Sequence, residues 1–83
     1  MTIYTVTVTV ELHPHILDPE GQAVSEVLRA MGFAVEEVRM GRLIRLRIPA
    51  ASAEEARRLA GEMADRLLAN PVMERFAVGS VEP

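Results

Sequence analysis

The chain has 83 residues, a net charge of −3, nine arginines, and neither lysine nor cysteine. The missing cysteine excludes disulfides, thiol catalysis and thiolate metal sites, and the missing lysine excludes Schiff-base chemistry and a phosphate-loop lysine. A negative domain offers no basic footprint for neutralising phosphates, which argues against nucleic acid as a partner.

This length holds one small domain, 1–83, able to bury about 60–65% of the surface its unfolded form exposes. Apolar residues make up 49% of the chain, with few elements to bury them, so association into an oligomer is expected. The N-terminal stretch MTIYTVTVTVEL alternates polar and apolar residues. It reads as neither a signal peptide nor a membrane span, and a cytoplasmic location is the default expectation.

Ile3 to Leu12 predicts a strand with one buried face. Tyr4, Val6, Val8, Val10 and Leu12 share that face, while Thr5, Thr7, Thr9 and Glu11 share the other. Pro14 ends it. A helix follows, with Asp18 as N-cap, Pro19 at the first helical position and Glu20 at the positive end of the dipole. Ala23, Val24, Val27, Leu28 and Met31 form its apolar stripe. Gly32 supplies the left-handed residue that stops it.

Phe33 to Met40 reads as a second strand whose apolar positions change parity at Glu36-Glu37, which predicts a bulge or twist. Gly41 is expected to make a tight turn into a third strand, Leu43 to Pro49, closing a hairpin. SAEE at 52–55 is a capping box. The second helix then buries Ala56, Leu59, Ala60, Met63 and Leu67, with Glu54–Arg58 and Glu62–Arg66 one turn apart on its wet side. Gly61 interrupts this pattern, and close packing on the sheet is the expected reason. Asn70-Pro71 stops the helix, and Val72 to Val81 reads as a last strand. The order is β-α-β-β-α-β, a two-layer α+β sandwich of ferredoxin-like type with two helices on one face of an antiparallel sheet.

Few residues offer chemistry. His13 and His15, at alternate positions of an extended segment, point the same way, but a zinc site needs three or four ligands and a supporting shell. Surface or interface histidines are the simpler reading. Ser25, Ser52 and Ser80 have no histidine close in sequence, and the glycines form no phosphate cradle. Arg45 and Arg47, with Arg39 or Arg42, form a candidate cationic stripe, expected to pair across strands with Glu11, Glu36 or Glu37. The strand LIRLRIP carries no aromatic on which a base could stack. From the residues alone, the domain reads as a binding or assembly module.

Three stretches resemble a known family: LDPEGQAV at 17–24, VRMGRLIRL at 38–46 and LLANPVMERFAV at 67–78. Together they look like the small S subunit, PurS, of phosphoribosylformylglycinamidine synthase, over nearly the whole chain. The chain departs from the family at HPH, where a Lys-Pro-Gly-like turn is commoner. The resemblance implies a non-catalytic subunit in de novo purine synthesis, where formylglycinamide ribonucleotide, glutamine and ATP yield the formylglycinamidine ribonucleotide. It implies two partners, a glutaminase subunit and a large synthetase subunit, which this chain would bridge while aiding ammonia transfer. It also implies a homodimer or dimer of dimers, and no cofactor in this chain, ATP and Mg being used by the synthetase. The candidate interface comprises Leu17, Asp18, Pro19, Gly21, Asn70 and Pro71. A second reading, an ACT-like small-molecule sensor, shares the element order but lacks the glycine-rich loop such sensors often need after the first strand.

Overall fold

The computed structural model describes residues 1–83. Its elements are β1 (Thr2–Leu12), α1 (Pro19–Ala30), β2 (Gly41–Ala50), α2 (Ala53–Met63) with a final π turn (Ala64–Leu68), and β3 (Glu74–Glu82). The strands form one antiparallel sheet in the order β2-β1-β3. This is the α+β, ferredoxin-like architecture, with three strands in the single chain.

β1 is central because its period-two pattern supplies an apolar face between two neighbours. Val6 and Val8 are fully buried and Val10 nearly so. Its register against β3 slips between Val6 and Val8. There the Ser80 N–H donates to Thr7 Oγ1 at 3.0 Å. A side chain at Gly79 would collide with that hydroxyl, its Cβ falling 2.6 Å away.

α2 lies on this face. Its buried stripe is Ala56 and Ala60, continued by Ala64 and Ala69, and small side chains let the helix approach the valines closely. Ser52 caps it as expected, accepting from the Glu55 N–H at 3.1 Å, while Glu55 reaches back to the Ala51 N–H at 3.1 Å. The last turn widens to a π turn, closed by the Ala69 N–H on the Ala64 carbonyl. That extra residue rotates the end of the helix, so Leu68 packs on the core and Leu67, expected inside, is 83% exposed. Met63, also expected inside, is 39% exposed. On the wet side the ion pair is Arg58–Glu62 at 3.5 Å, not the two pairs expected. A Cβ at Gly61 would meet nothing within 4 Å, so packing on the sheet does not explain this glycine.

The largest departure from expectation is Phe33–Met40. It is not a strand. It leaves α1 through Gly32, whose φ of 97° is the left-handed stop read from the sequence. It then doubles back along α1, held there by side chains. Arg29 donates to the Val35 and Glu36 carbonyls at 2.8 and 2.7 Å, and Asp18 accepts from the Met40 N–H at 2.7 Å. Gly41 therefore makes no turn. It is the first residue of β2, opposite Glu11, in a straight run of chain.

α1 and this return segment form an arm projecting from the end of the sheet where β1 finishes and β2 begins. The chain measures 51 × 27 × 13 Å. α1 has at most glancing contact with the sheet. Of its expected buried stripe, Val24 and Leu28 are half-buried, while Ala23, Val27 and Met31 are exposed.

Candidate functional site

The candidate interface residues meet at the neck between arm and sheet. After Leu12 the chain turns through His13-Pro14-His15, and His13 ties three segments together. Its N–H donates to the Met73 carbonyl at 2.9 Å. Its ring Nε2 lies 2.9 Å from the Pro71 carbonyl. A carbonyl only accepts, so Nε2 carries the proton and donates. Its own carbonyl accepts from the Arg39 guanidinium at 3.0 Å. The rings of His13 and His15 stack at 5.7 Å with a 12° tilt. These contacts make the histidines a latch between turns, and no three His, Asp or Glu side chains converge as a metal-holding group.

Asp18 is the second node. One carboxylate oxygen accepts from the Gly21 N–H at 2.9 Å, capping α1. The other accepts from Met40 and pins the return segment. The Gly21 and Met40 donors, with the Arg39 charge adding less, hold this carboxyl below its ordinary value. Gly21 is buried because the Val38 carbonyl crosses directly over it. A Cβ there would fall 2.2 Å from that oxygen.

The third node is Glu74. It accepts from Arg42 at 2.8 and 3.2 Å and from the Asn70 N–H at 2.9 Å. Arg42 also donates to the Leu68 carbonyl at 2.7 Å. The guanidinium, and then the Asn70 donor, hold the Glu74 carboxyl below its ordinary value, while Glu74 raises Arg42 above its own. Asn70 completes the turn by accepting from the Val72 N–H at 3.0 Å. Beside it lies an open cleft of about 240 Å³ lined by His13, Asp65, Ala69, Pro71, Glu74, Arg75 and Phe76. That is below the usual size of a ligand pocket.

The six candidate residues thus divide in two. Asp18 and Gly21 are buried and build the neck, whereas Leu17, Pro19, Asn70 and Pro71 stand in solvent. Leu17, Val72 and Leu67 are exposed by 70, 79 and 83%, a run of bare apolar side chains near these turns. On the opposite face of the sheet, Arg45 and Arg47 stand across from Thr7 and Thr5. Neither joins an ion pair. Glu11 pairs with Arg75 at 2.8 Å instead, and Glu36 and Glu37 are carried off on the arm. Sequence reading places Arg39 or Arg42 in the cationic stripe. It misses their contacts with the His13 carbonyl and Glu74, and those of Arg29, because guanidinium contacts with backbone carbonyls or across 26–32 residues leave no spacing signature.

The class is now defined: a small ferredoxin-like α+β domain whose ionisable side chains secure its own turns, with apolar surface left open along an arm and neck. Residues 5–82 match the PurS family, described as phosphoribosylformylglycinamidine (FGAM) synthase. The chain is 42% identical over 72 residues to the PurS subunit of Archaeoglobus fulgidus, covering 86% of this chain and 90% of that one. It resembles the solved structure of Thermus thermophilus PurS with a TM-score of 0.91 at 43% identity, covering 99% and 98% of the two chains. A chain in the structure of PurLQS from Thermotoga maritima superposes with a TM-score of 0.88 at 30% identity, covering 95% and 98%. The chain belongs to the PurS family, the small subunit of FGAM synthase in purine biosynthesis. The sensor reading has no support among these relatives.

Proposed function

We propose that this chain acts as a non-catalytic adaptor within FGAM synthase, bridging a glutaminase subunit and a large synthetase subunit in the cytoplasm. The observation that carries this reading is its likeness, over 95% of its length, to a chain of the PurLQS structure. The distribution of chemistry supports it. The carboxylates held low, Asp18 and Glu74, are occupied by backbone donors and an arginine of the same chain, while Leu17, Pro19, Asn70 and Pro71 stand exposed with apolar neighbours. Such a surface contributes buried area and orientation, not reacting groups.

Orientation matters for this reaction because ammonia escaping into water is protonated and loses its nucleophilicity. Docking the two active sites against a rigid adaptor limits that escape. In this reading ATP and Mg belong to the synthetase, the adaptor carries no cofactor, and it works as a homodimer or dimer of dimers. The test is reconstitution from three purified subunits. Glutamine-dependent FGAM formation should require this chain, whereas formation from added ammonium should not. Equal glutamine-dependent rates with and without the chain would overturn the proposal.

A further inference from the structure

α2 covers the valine face of the sheet, and no element of the chain covers the other. That open face carries Thr5, Thr7 and Thr9 along the central strand. Ala77 and Ser80 lie beside them on β3, and Leu43, Arg45 and Arg47 line β2. The floor is low because threonine, alanine and serine are short. The β2 side rises above it because arginine is long. Leu43 is 58% exposed, and both arginines stand in solvent.

These two cations are set apart from the others. Arg29, Arg39, Arg42, Arg57, Arg58 and Arg75 each meet a carbonyl or a carboxylate of the chain. Arg45, Arg47 and Arg66 join no ion pair, and of these only Arg45 and Arg47 stand side by side on one strand face. Glu82 lies across Thr5 from Arg47 and pairs with neither arginine. The chain as a whole carries a charge of −3, so an acidic surface is repelled on average and attracted along this stripe. Such a contrast selects one orientation of approach.

Resting on the adaptor reading above, we propose that the open face docks an acidic helix of a partner subunit, laid along β2 with two carboxylates against Arg45 and Arg47. The spacings agree. Alternate residues of a strand lie about 6.6 Å apart, and residues i and i+4 of a helix lie about 6.0 Å apart along its axis. The low threonine floor lets the helix come close, and Leu43 gives its flank an apolar contact. A helix there covers the second face of the sheet, the common way for a bare sheet face to be closed. Strands of 9–11 residues, about 4.8 Å apart, make a face of roughly 450 Å². That is about half of the ~800 Å² one partner contributes to a standard interface. The stripe therefore sets register and approach, and the apolar turns at the neck add the remaining area.

The test titrates Arg45→Glu/Arg47→Glu, in the full chain, against the purified glutaminase and synthetase subunits, singly and together, from about 50 to about 500 mM NaCl. The parent should bind more weakly as salt rises. At low salt the variant should bind at least about tenfold more weakly than the parent, with a flatter salt dependence. Arg45→Lys/Arg47→Lys keeps both charges and should keep most of the binding. Arg58→Glu makes the same kind of charge change on the wet side of α2 and should stay within about twofold of the parent. Parent binding indifferent to salt, or an equal loss from Arg58→Glu, overturns the proposal. A lower light-scattering mass for the variant alone also overturns it, because the face then holds another copy of this chain. If circular dichroism shows the variant unfolded, Arg45→Gln/Arg47→Gln takes its place, with a loss in the same direction expected and unchanged binding decisive against the proposal. A parent that binds neither subunit refutes the adaptor reading itself.

Discussion

Replacing Gly21 by alanine tests the packing of the neck most directly. The position lies in the first turn of α1, where alanine would ordinarily favour the helix by about 1 kcal/mol over glycine. Here the added methyl would fall 2.2 Å from the Val38 carbonyl oxygen, 2.8 Å from the Asp18 carboxylate and 3.0 Å from the Val38 carbonyl carbon. Ordinary contact begins near 3.4 Å, so the return segment must retreat by more than 1 Å. That shift is an overpacking cost of about 1–3 kcal/mol. It also stretches the bond from Met40 to Asp18, a further loss of about 1 kcal/mol. After subtracting the helix gain, Gly21→Ala should destabilise by about 1–3 kcal/mol. Urea denaturation at a fixed protein concentration reads this as a midpoint lowered by roughly 0.5–1.5 M, with an m-value of about 2 kcal/mol/M. Gly61→Ala is the internal control. Nothing lies within 4 Å of the new methyl, so the helix preference acts alone and the midpoint should rise, by up to about 1 kcal/mol in stability. If Gly21→Ala also stabilised the protein, the return segment would not press on α1 as described, and the account of the neck would fail.

Two other outcomes follow from the same structure. Asp18→Asn keeps one acceptor for the Gly21 N–H but turns its amide N–H₂ toward the Met40 N–H, so the cap survives and the pin is lost. The folded Asp18 carboxyl lies below its ordinary value of 3.8, so its stabilising contribution is complete above that value and disappears as pH falls through the folded value. The variant should therefore lose less stability than the parent on acidification below about pH 4, and amide exchange along 33–40 should quicken at neutral pH; parallel acid limbs in the two proteins would refute this. Val8→Ala removes two methyl groups from a site with no solvent exposure, and should cost about 2–3 kcal/mol in chemical denaturation; a cost below 1 kcal/mol would mean the sheet and α2 are not packed as described.

Much of this protein could be read from neighbouring residues. The buried face of β1, the Asp18 and Ser52 caps, the Pro19 start and the left-handed stop at Gly32 all depend on contacts within about four residues or on strict alternation, so the chain declares them locally. The motifs at 17–24, 38–46 and 67–78 carried the family for a different reason, as residue identities and not as physics. The six candidate interface residues could be picked out by type and position, but their division into buried builders and exposed turns could not. That division depends on where Val38 and Met40 return, across some 20 residues of chain.

Tertiary structure decided the remainder. Phe33–Met40 has the composition of a strand, and composition does not say which edge it joins. Two arginine hydrogen bonds and one aspartate bond fold it onto α1. The π turn moved the buried position from Leu67 to Leu68, because one added residue rotates every side chain beyond it. Arg42 left the expected cationic stripe to hold Glu74 and the Leu68 carbonyl. Each of these outcomes is a competition between distant partners for the same polar group, and local periodicity holds no record of who wins.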